Sequence, residues 1–178
     1  MSAVADLARE VQATPPETAA EENVWEILDD VLDPEVPAVS VVDLGVVRAV
    51  RVEGKAVTID LTPTYTGCPA TILIGELVKA AVESGGYGPV TVNTVLSPAW
   101  TTDWITARGR QRLKDYGIAP PVGQSGGRAA LFGGDVHVTC PHCGSQATER
   151  VSEFGSTACK AMYRCTDCRE PFEYFKCI

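Results

Sequence analysis

The chain has 178 residues, a formal charge of −8 and an apolar fraction of 45%, which suits one ordinary domain or one domain with a small appendage. No apolar run approaches the roughly 18–20 residues of a spanning helix, and the first ten residues lack the basic flank and apolar core of a signal peptide, so a soluble cytoplasmic protein with no membrane partner is expected. Before Val136 there are 18 acidic and 10 basic residues, and five of each follow; phosphate contacts need clustered Lys and Arg, so nucleic acid is not an expected partner.

The first 35 residues carry ten acids and one base, Arg9. Residues 1–22, with Thr14-Pro15-Pro16 and many Ala and Glu, are expected to be an acidic, weakly ordered lead-in; a docking surface for a basic partner is the other reading. From Asn23 the pattern becomes helical. Val24, Ile27, Leu28, Val31 and Leu32 recur at helical spacing, Asn23 is placed to cap with Glu26 three residues on, and the helix is expected to stop near Asp33-Pro34. Leu44–Val52 and Ala56–Leu61, separated by Glu53-Gly54-Lys55, read as a hairpin. Val57, Ile59 and Leu61 alternate with Thr58, Asp60 and Thr62, as in a strand with one buried face.

After a loop, Ala70–Val82 is expected to be a helix with Ile72, Leu73, Leu77 and Ala80 or Ala81 inward, ended by Ser84-Gly85-Gly86. Val90–Leu96 reads as a third strand. Thr102 or Asp103 opens a last helix through Ile105 and Leu113 to about Tyr116, with Trp100 and Trp104 packed on the sheet. This order predicts an α+β class: a small mixed sheet with helices on one face, spanning 23–121. Pro120–Gly134 holds two prolines and five glycines, so 122–134 is expected to be a Gly-rich linker, and 135–178 a C-terminal β unit.

That unit contains Cys140-Pro141-His142-Cys143-Gly144, then Cys165-Thr166-Asp167-Cys168. Two such Cys-x-x-Cys turns are a zinc-ribbon signature. Each turn brings two sulfurs to one ion at about 2.3 Å, and four thiolates leave no open position, so the expected site is structural. About 40 residues bury too little apolar surface to fold unaided, whereas a structural zinc supplies about 10–16 kcal/mol. Zinc is the expected ion, and rubredoxin-like iron uses similar turns. Cys159 and Cys177 are secondary cysteines, expected to pack as small apolar residues, with exchange into the site or transient cluster binding as the other readings. His142 is expected to be exposed, and His137 is unassigned.

Cys68 stands apart from the other six cysteines. It precedes Pro69, which favours the first helical position, so Cys68 is expected at the N-cap. A helix N-terminus favours a thiolate by only about 0.3–1 kcal/mol, and no Lys, Arg or His is near in sequence. A transient metal or cluster ligand therefore fits Cys68 better than an independent nucleophile. Asp33-Pro34-Glu35-Val36-Pro37 and Asp43-Leu44-Gly45 are the other dense polar sites. Turn and cap chemistry explains them locally.

Those two acidic motifs, Thr64-x-x-Gly67-Cys68-Pro69, Pro98-Ala99-Trp100 and the helix end Tyr116-Gly117-Ile118-Ala119-Pro120 resemble the SufT-like domain of iron–sulfur assembly factors. With Ser152–Ala161 and Arg169-Glu170-Pro171-Phe172, the chain from about Glu21 to Ile178 is similar to the PaaD family of phenylacetyl-CoA epoxidase systems. The resemblance implies a non-enzymatic accessory protein of aerobic phenylacetate breakdown that helps mature the iron–sulfur centre of the reductase component. It places the family's cysteine on Cys68, its acidic motif on Asp33, Glu35 and Asp43, and its ribbon ligands on Cys140, Cys143, Cys165 and Cys168. The implied cofactors are one structural zinc and a transient iron or iron–sulfur cluster. The implied partners are the other epoxidase components, above all the reductase, and iron–sulfur scaffold proteins. An integral structural subunit and a rubredoxin-like electron carrier are the competing roles. An independent enzyme has least support: there is no nucleophile–histidine pair and no phosphate loop.

Overall fold

The computed structural model describes residues 3–65, 67–122 and 137–177; apart from Val122, the expected linker 122–134 lies outside the described residues. The chain divides into two compact units, Met1–Trp100 with Trp104–Gly109, and Thr101–Asp103 with Arg110–Ile178.

The first unit begins with a helix where a weakly ordered lead-in was expected. In α1 (Ala3–Glu10), Val4, Ala5 and Ala8 are buried together with the following Val11. They recur at i, i+1, i+4 and i+7, one helical face, and burying that face is what orders the segment. Next, α2 (Ala19–Asp29) starts at Thr18 and not at Asn23. Thr18 Oγ1 accepts from the Glu21 N–H at 3.2 Å and Glu21 Oε2 accepts from the Thr18 N–H at 3.1 Å, a reciprocal cap that satisfies two otherwise unpaired donors. Val24, Trp25 and Leu28 of α2 are fully buried. The helix ends at Asp29, short of Asp33-Pro34, and Leu32 already bridges Ser40 in extended form.

The sheet follows as β1 (Val47–Glu53) and β2 (Ala56–Leu61), antiparallel about a turn at Gly54-Lys55, then β3 (Val90–Thr94) parallel to β2. β1 starts three residues later than predicted because Gly45, at φ +67°, turns the chain just before it. β3 stops at Thr94, two residues short of the predicted end. Val57, Ile59 and Leu61 are buried as their alternation predicts. The start of β1's outer edge is engaged: the Thr14 N–H donates to the Arg48 carbonyl at 2.8 Å. The Arg48 guanidinium donates to the carbonyls of Gln12, Val11 and Gly45 at 2.7, 2.8 and 3.1 Å and lies 3.6 Å over the Trp104 ring. Burial pulls its pKa down to about 10, so it is still a cation at neutral pH.

Between β2 and β3 runs α3 (Ala70–Ser84). Its predicted orientation is corrected: the buried face is Ala70, Val78 and Val82, while Ile72, Leu73 and Leu77 are 80%, 50% and 38% exposed. This helix has apolar residues on both sides, so spacing alone does not orient it. The close approach of Gly75 to Val92, where an added Cβ would sit 3.8 Å from the valine methyl, shows which side meets the sheet. The last predicted helix is also split, into a 3-10 turn at Thr102–Trp104 and α4 (Ala107–Asp115). Thr106 interrupts it. Its Oγ1 accepts from the Gly109 N–H at 2.8 Å, an N-cap contact, and its own N–H donates to the Asp43 carbonyl at 2.9 Å.

The second unit is a four-stranded sheet in the order β4 (Ile118–Ala119), β7 (Pro171–Phe175), β6 (Lys160–Cys165), β5 (Thr148–Ser152). β4 is parallel to β7 and the other pairs are antiparallel. One face buries Ala119, Val138, Ala161, Tyr163, Phe172 and Tyr174 with Cys140 and Cys165. Tyr163 stacks on Phe172 with centroids 6.0 Å apart. Lys160 is 2% exposed and pairs with Glu173 at 2.9 Å. Among the described residues, no helix is long and apolar enough to cross a membrane.

Candidate metal centre

Two backbone turns of the same design carry the four sulfurs. In the first, the Gly144 N–H donates to the Cys140 carbonyl at 3.0 Å and the Cys140 N–H to the Ser145 carbonyl at 2.8 Å. Gly144 sits at φ +78°, a region that glycine enters without steric cost. The second turn leaves β6 at Cys165, whose N–H donates to the Glu170 carbonyl at 3.0 Å. Here the residue after the second cysteine is Arg169, also left-handed at φ +66°. The shared geometry aims each cysteine pair at one point.

The four Sγ atoms all lie within 4.8 Å of one another, with Cys140 and Cys168 3.7 Å apart and Cys143 and Cys165 3.6 Å apart. A tetrahedron with metal–sulfur bonds of about 2.3 Å has edges of about 3.8 Å, so the sulfurs fit a four-coordinate zinc. All seven cysteines are free of disulfides. The thiols cannot all ionise unaided. The N–H of Cys168, with that of Asp167, outweighs burial and draws Cys165 down to about 7. The Glu170 N–H favours the Cys168 thiolate, but burial and the neighbouring thiols push that group up to about 12. A dication at the centre removes this conflict.

His142 takes no part in the four-sulfur group; its ring meets Phe172 edge-on with centroids 6.5 Å apart. Cys159 is buried beside Thr157 Oγ1 at 3.1 Å. Cys177 donates to the Val122 carbonyl at 3.1 Å and contacts the Tyr174 hydroxyl at 3.4 Å.

Cys68 is half-buried, one residue before the N-cap, which is Pro69 and not Cys68 itself. The Cys68 carbonyl accepts from the Thr71 N–H at 3.2 Å, leaving the thiol free of a capping task. Asp33 and Asp43 are engaged within the fold. Asp33 Oδ1 accepts from the N–H groups of Glu35 and Val36, both at 2.8 Å. Asp43 is fully buried, and its Oδ1 accepts from Thr106 Oγ1 and Arg108 Nε, each at 2.8 Å. Arg108 also grips Asp29 through both terminal nitrogens, and Ser40 Oγ donates to Asp29 at 2.9 Å. Sequence reasoning missed Arg108, Asp29, Ser40 and Thr106, because their partners lie far away along the chain. Among the described residues, the four ribbon cysteines are the one group of three or more His, Cys, Asp or Glu ligand atoms so gathered; Cys68, Asp33, Glu35 and Asp43 are not brought into such a group.

Fold and site thus define a class: a small α+β unit joined in one chain to a four-cysteine ribbon. Residues 21–94 match the family model described as iron–sulfur cluster assembly protein, and residues 124–176 the PaaD zinc beta ribbon domain. An Escherichia coli K12 protein named as a component of 1,2-phenylacetyl-CoA epoxidase is 50% identical over 155 residues, 87% of this chain and 92% of that protein. The chain belongs to the PaaD family. The Fe-S protein maturation auxiliary factor YitW of Bacillus subtilis 168 is 37% identical over 89 residues, 49% of this chain and 86% of that one. A crystal structure of a DUF59 domain from Bacillus anthracis superposes with a TM-score of 0.51 at 28% identity, covering 53% of this chain and 92% of that one.

Proposed function

We propose that the protein is a non-catalytic accessory factor of phenylacetate breakdown in the cytoplasm that aids maturation of the iron–sulfur centre of the epoxidase reductase. The observation that carries this reading is the division of sulfur chemistry within one chain. The ribbon sulfurs form a closed set suited to a resident structural ion, whereas Cys68 stands half-buried on a separate loop with its thiol uncommitted to the helix cap. In this reading the ribbon ligands Cys140, Cys143, Cys165 and Cys168 hold zinc, and Cys68 accepts iron or a cluster as cargo. Asp33 and Asp43 shape the turns of the assembly unit. The names of the relatives, an epoxidase component and a maturation factor, support it.

The test is reconstitution of the apo-reductase with scaffold-bound cluster, with and without this protein. Wild type is expected to raise cluster content, and Cys68→Ser to abolish that gain while keeping one zinc per chain and the native circular dichroism. Equal cluster content with and without the protein defeats the reading. The name of the Escherichia coli relative favours a second reading, an integral part of the epoxidase. Purification with the oxygenase components at fixed stoichiometry, together with an inert Cys68→Ser, would select it.

A further inference from the structure

The two edges of the three-stranded sheet differ. One, β1, receives the Thr14–Arg48 hydrogen bond near its start and carries the charged Arg48, Arg51 and Glu53. The other is β3, which pairs with β2 alone among the described strands. The Val57 N–H donates to the Pro89 carbonyl and the Val95 N–H to the Leu61 carbonyl, so the odd-numbered residues of this stretch face β2. By the two-residue period of a strand, the N–H and C=O groups of Val90, Val92 and Thr94 point away from it. β3 lacks three of the devices that protect an open edge: Val90-Thr91-Val92-Asn93-Thr94 contains no charge and no proline, and its register has no bulge.

A helix flank accompanies this edge. α2 packs on β1 and α3 on β3. Ile72 and Lys79 lie three before and four after Gly75, on the flank that Gly75 turns to Val92. Ile72 is 80% exposed there, and Leu96, just past the strand, is 57% exposed.

The geometry points to a second copy of this chain as the occupant, its β3 pairing antiparallel with this β3 about a two-fold axis at Val92. The outward row is self-complementary in that register: Val92 meets Val92, and Val90 meets Thr94, with about six new main-chain hydrogen bonds. An uncharged strand meets its own copy without like-charge repulsion, and the helix flank has mixed sign, with Lys79 between Glu76 and Glu83. A five-residue strand pair falls short of the about 1,000 Å² that a specific interface buries, so Ile72 and its neighbours on α3 supply the remainder. The result is one continuous sheet across both copies, with the two α3 helices facing each other above the join.

The test is sedimentation equilibrium of the full-length, metal-loaded chain from low to high micromolar concentration, expected to show a reversible dimer. Thr94→Pro removes an outward N–H and no bond to β2, and Ile72→Glu changes an exposed side chain. Each is expected to weaken self-association at least about tenfold with metal content and circular dichroism unchanged. Val151→Glu, at a 61% exposed ribbon position, is the control and is expected to leave the dimer intact. A chain that stays monomeric throughout, a dimer indifferent to both first variants, or one dissolved equally by Val151→Glu overturns the proposal.

Discussion

Asp43 is fully buried, and its charge is answered by Arg108, itself held by Asp29. Asp43→Asn keeps the shape but leaves Arg108 with Asp29 as its one carboxylate, and the expected cost is about 1.5–3 kcal/mol, the scale of a hydrogen bond to a charged group. Urea unfolding followed by tryptophan fluorescence measures it; a change under about 0.5 kcal/mol, the scale of an ordinary surface substitution, would show that the pair is dispensable. Local spacing made Asp43 legible as a special residue but left its role open between turn and ligand. Its partners Thr106 and Arg108 are 63 and 65 residues away, so no short motif discloses them. The ribbon ligands are the opposite case. Two neighbouring thiols two residues apart impose their own geometry, and the four cysteines converge as their spacing requires.

At the element scale, Thr18 and Gly45 carry separate predictions. Thr18→Ala removes the cap of α2 and is expected to cost about 1 kcal/mol, read as a lower urea midpoint. Gly45 sits at φ +67°, and a Cβ there would meet the Trp104 Cβ at 2.7 Å. Gly45→Ala therefore combines backbone strain with a clash and is expected to lower the thermal midpoint of the first unit by several degrees; an unchanged midpoint would contradict the close approach. Strand alternation and the hairpin were legible because burial on one face imposes a two-residue period. The true start of α2 is hidden in the sequence because Thr18-x-x-Glu21 stands before the apolar run, inside a stretch whose acidity suggests disorder. The facing of α3 is not legible in its spacing because both of its sides are apolar and only packing selects between them.

On the scale of the whole molecule, the two units report separately. Trp25, Trp100 and Trp104, all three tryptophans of the chain, lie in the first unit, while Tyr163 and Tyr174 lie in the core of the second. Zinc binding is worth about 10–16 kcal/mol to a structural site of this kind. A strong chelator is thus expected to erase the tyrosine near-ultraviolet dichroism of the ribbon and leave tryptophan fluorescence unchanged. Simultaneous loss of both signals would mean that the first unit depends on the ion.

The Arg48 clamp answers differently to solvent. Among the described residues, the groups it touches are uncharged: three peptide oxygens and an indole face. Electrolyte has no opposite charge to screen there, so raising ionic strength is expected to leave α1 seated. Urea competes directly for peptide oxygens, and the amides of Ala8 and Val11 should exchange with deuterium at concentrations well below the global midpoint. If sodium chloride released the helix first, the grip on α1 would have to be ionic.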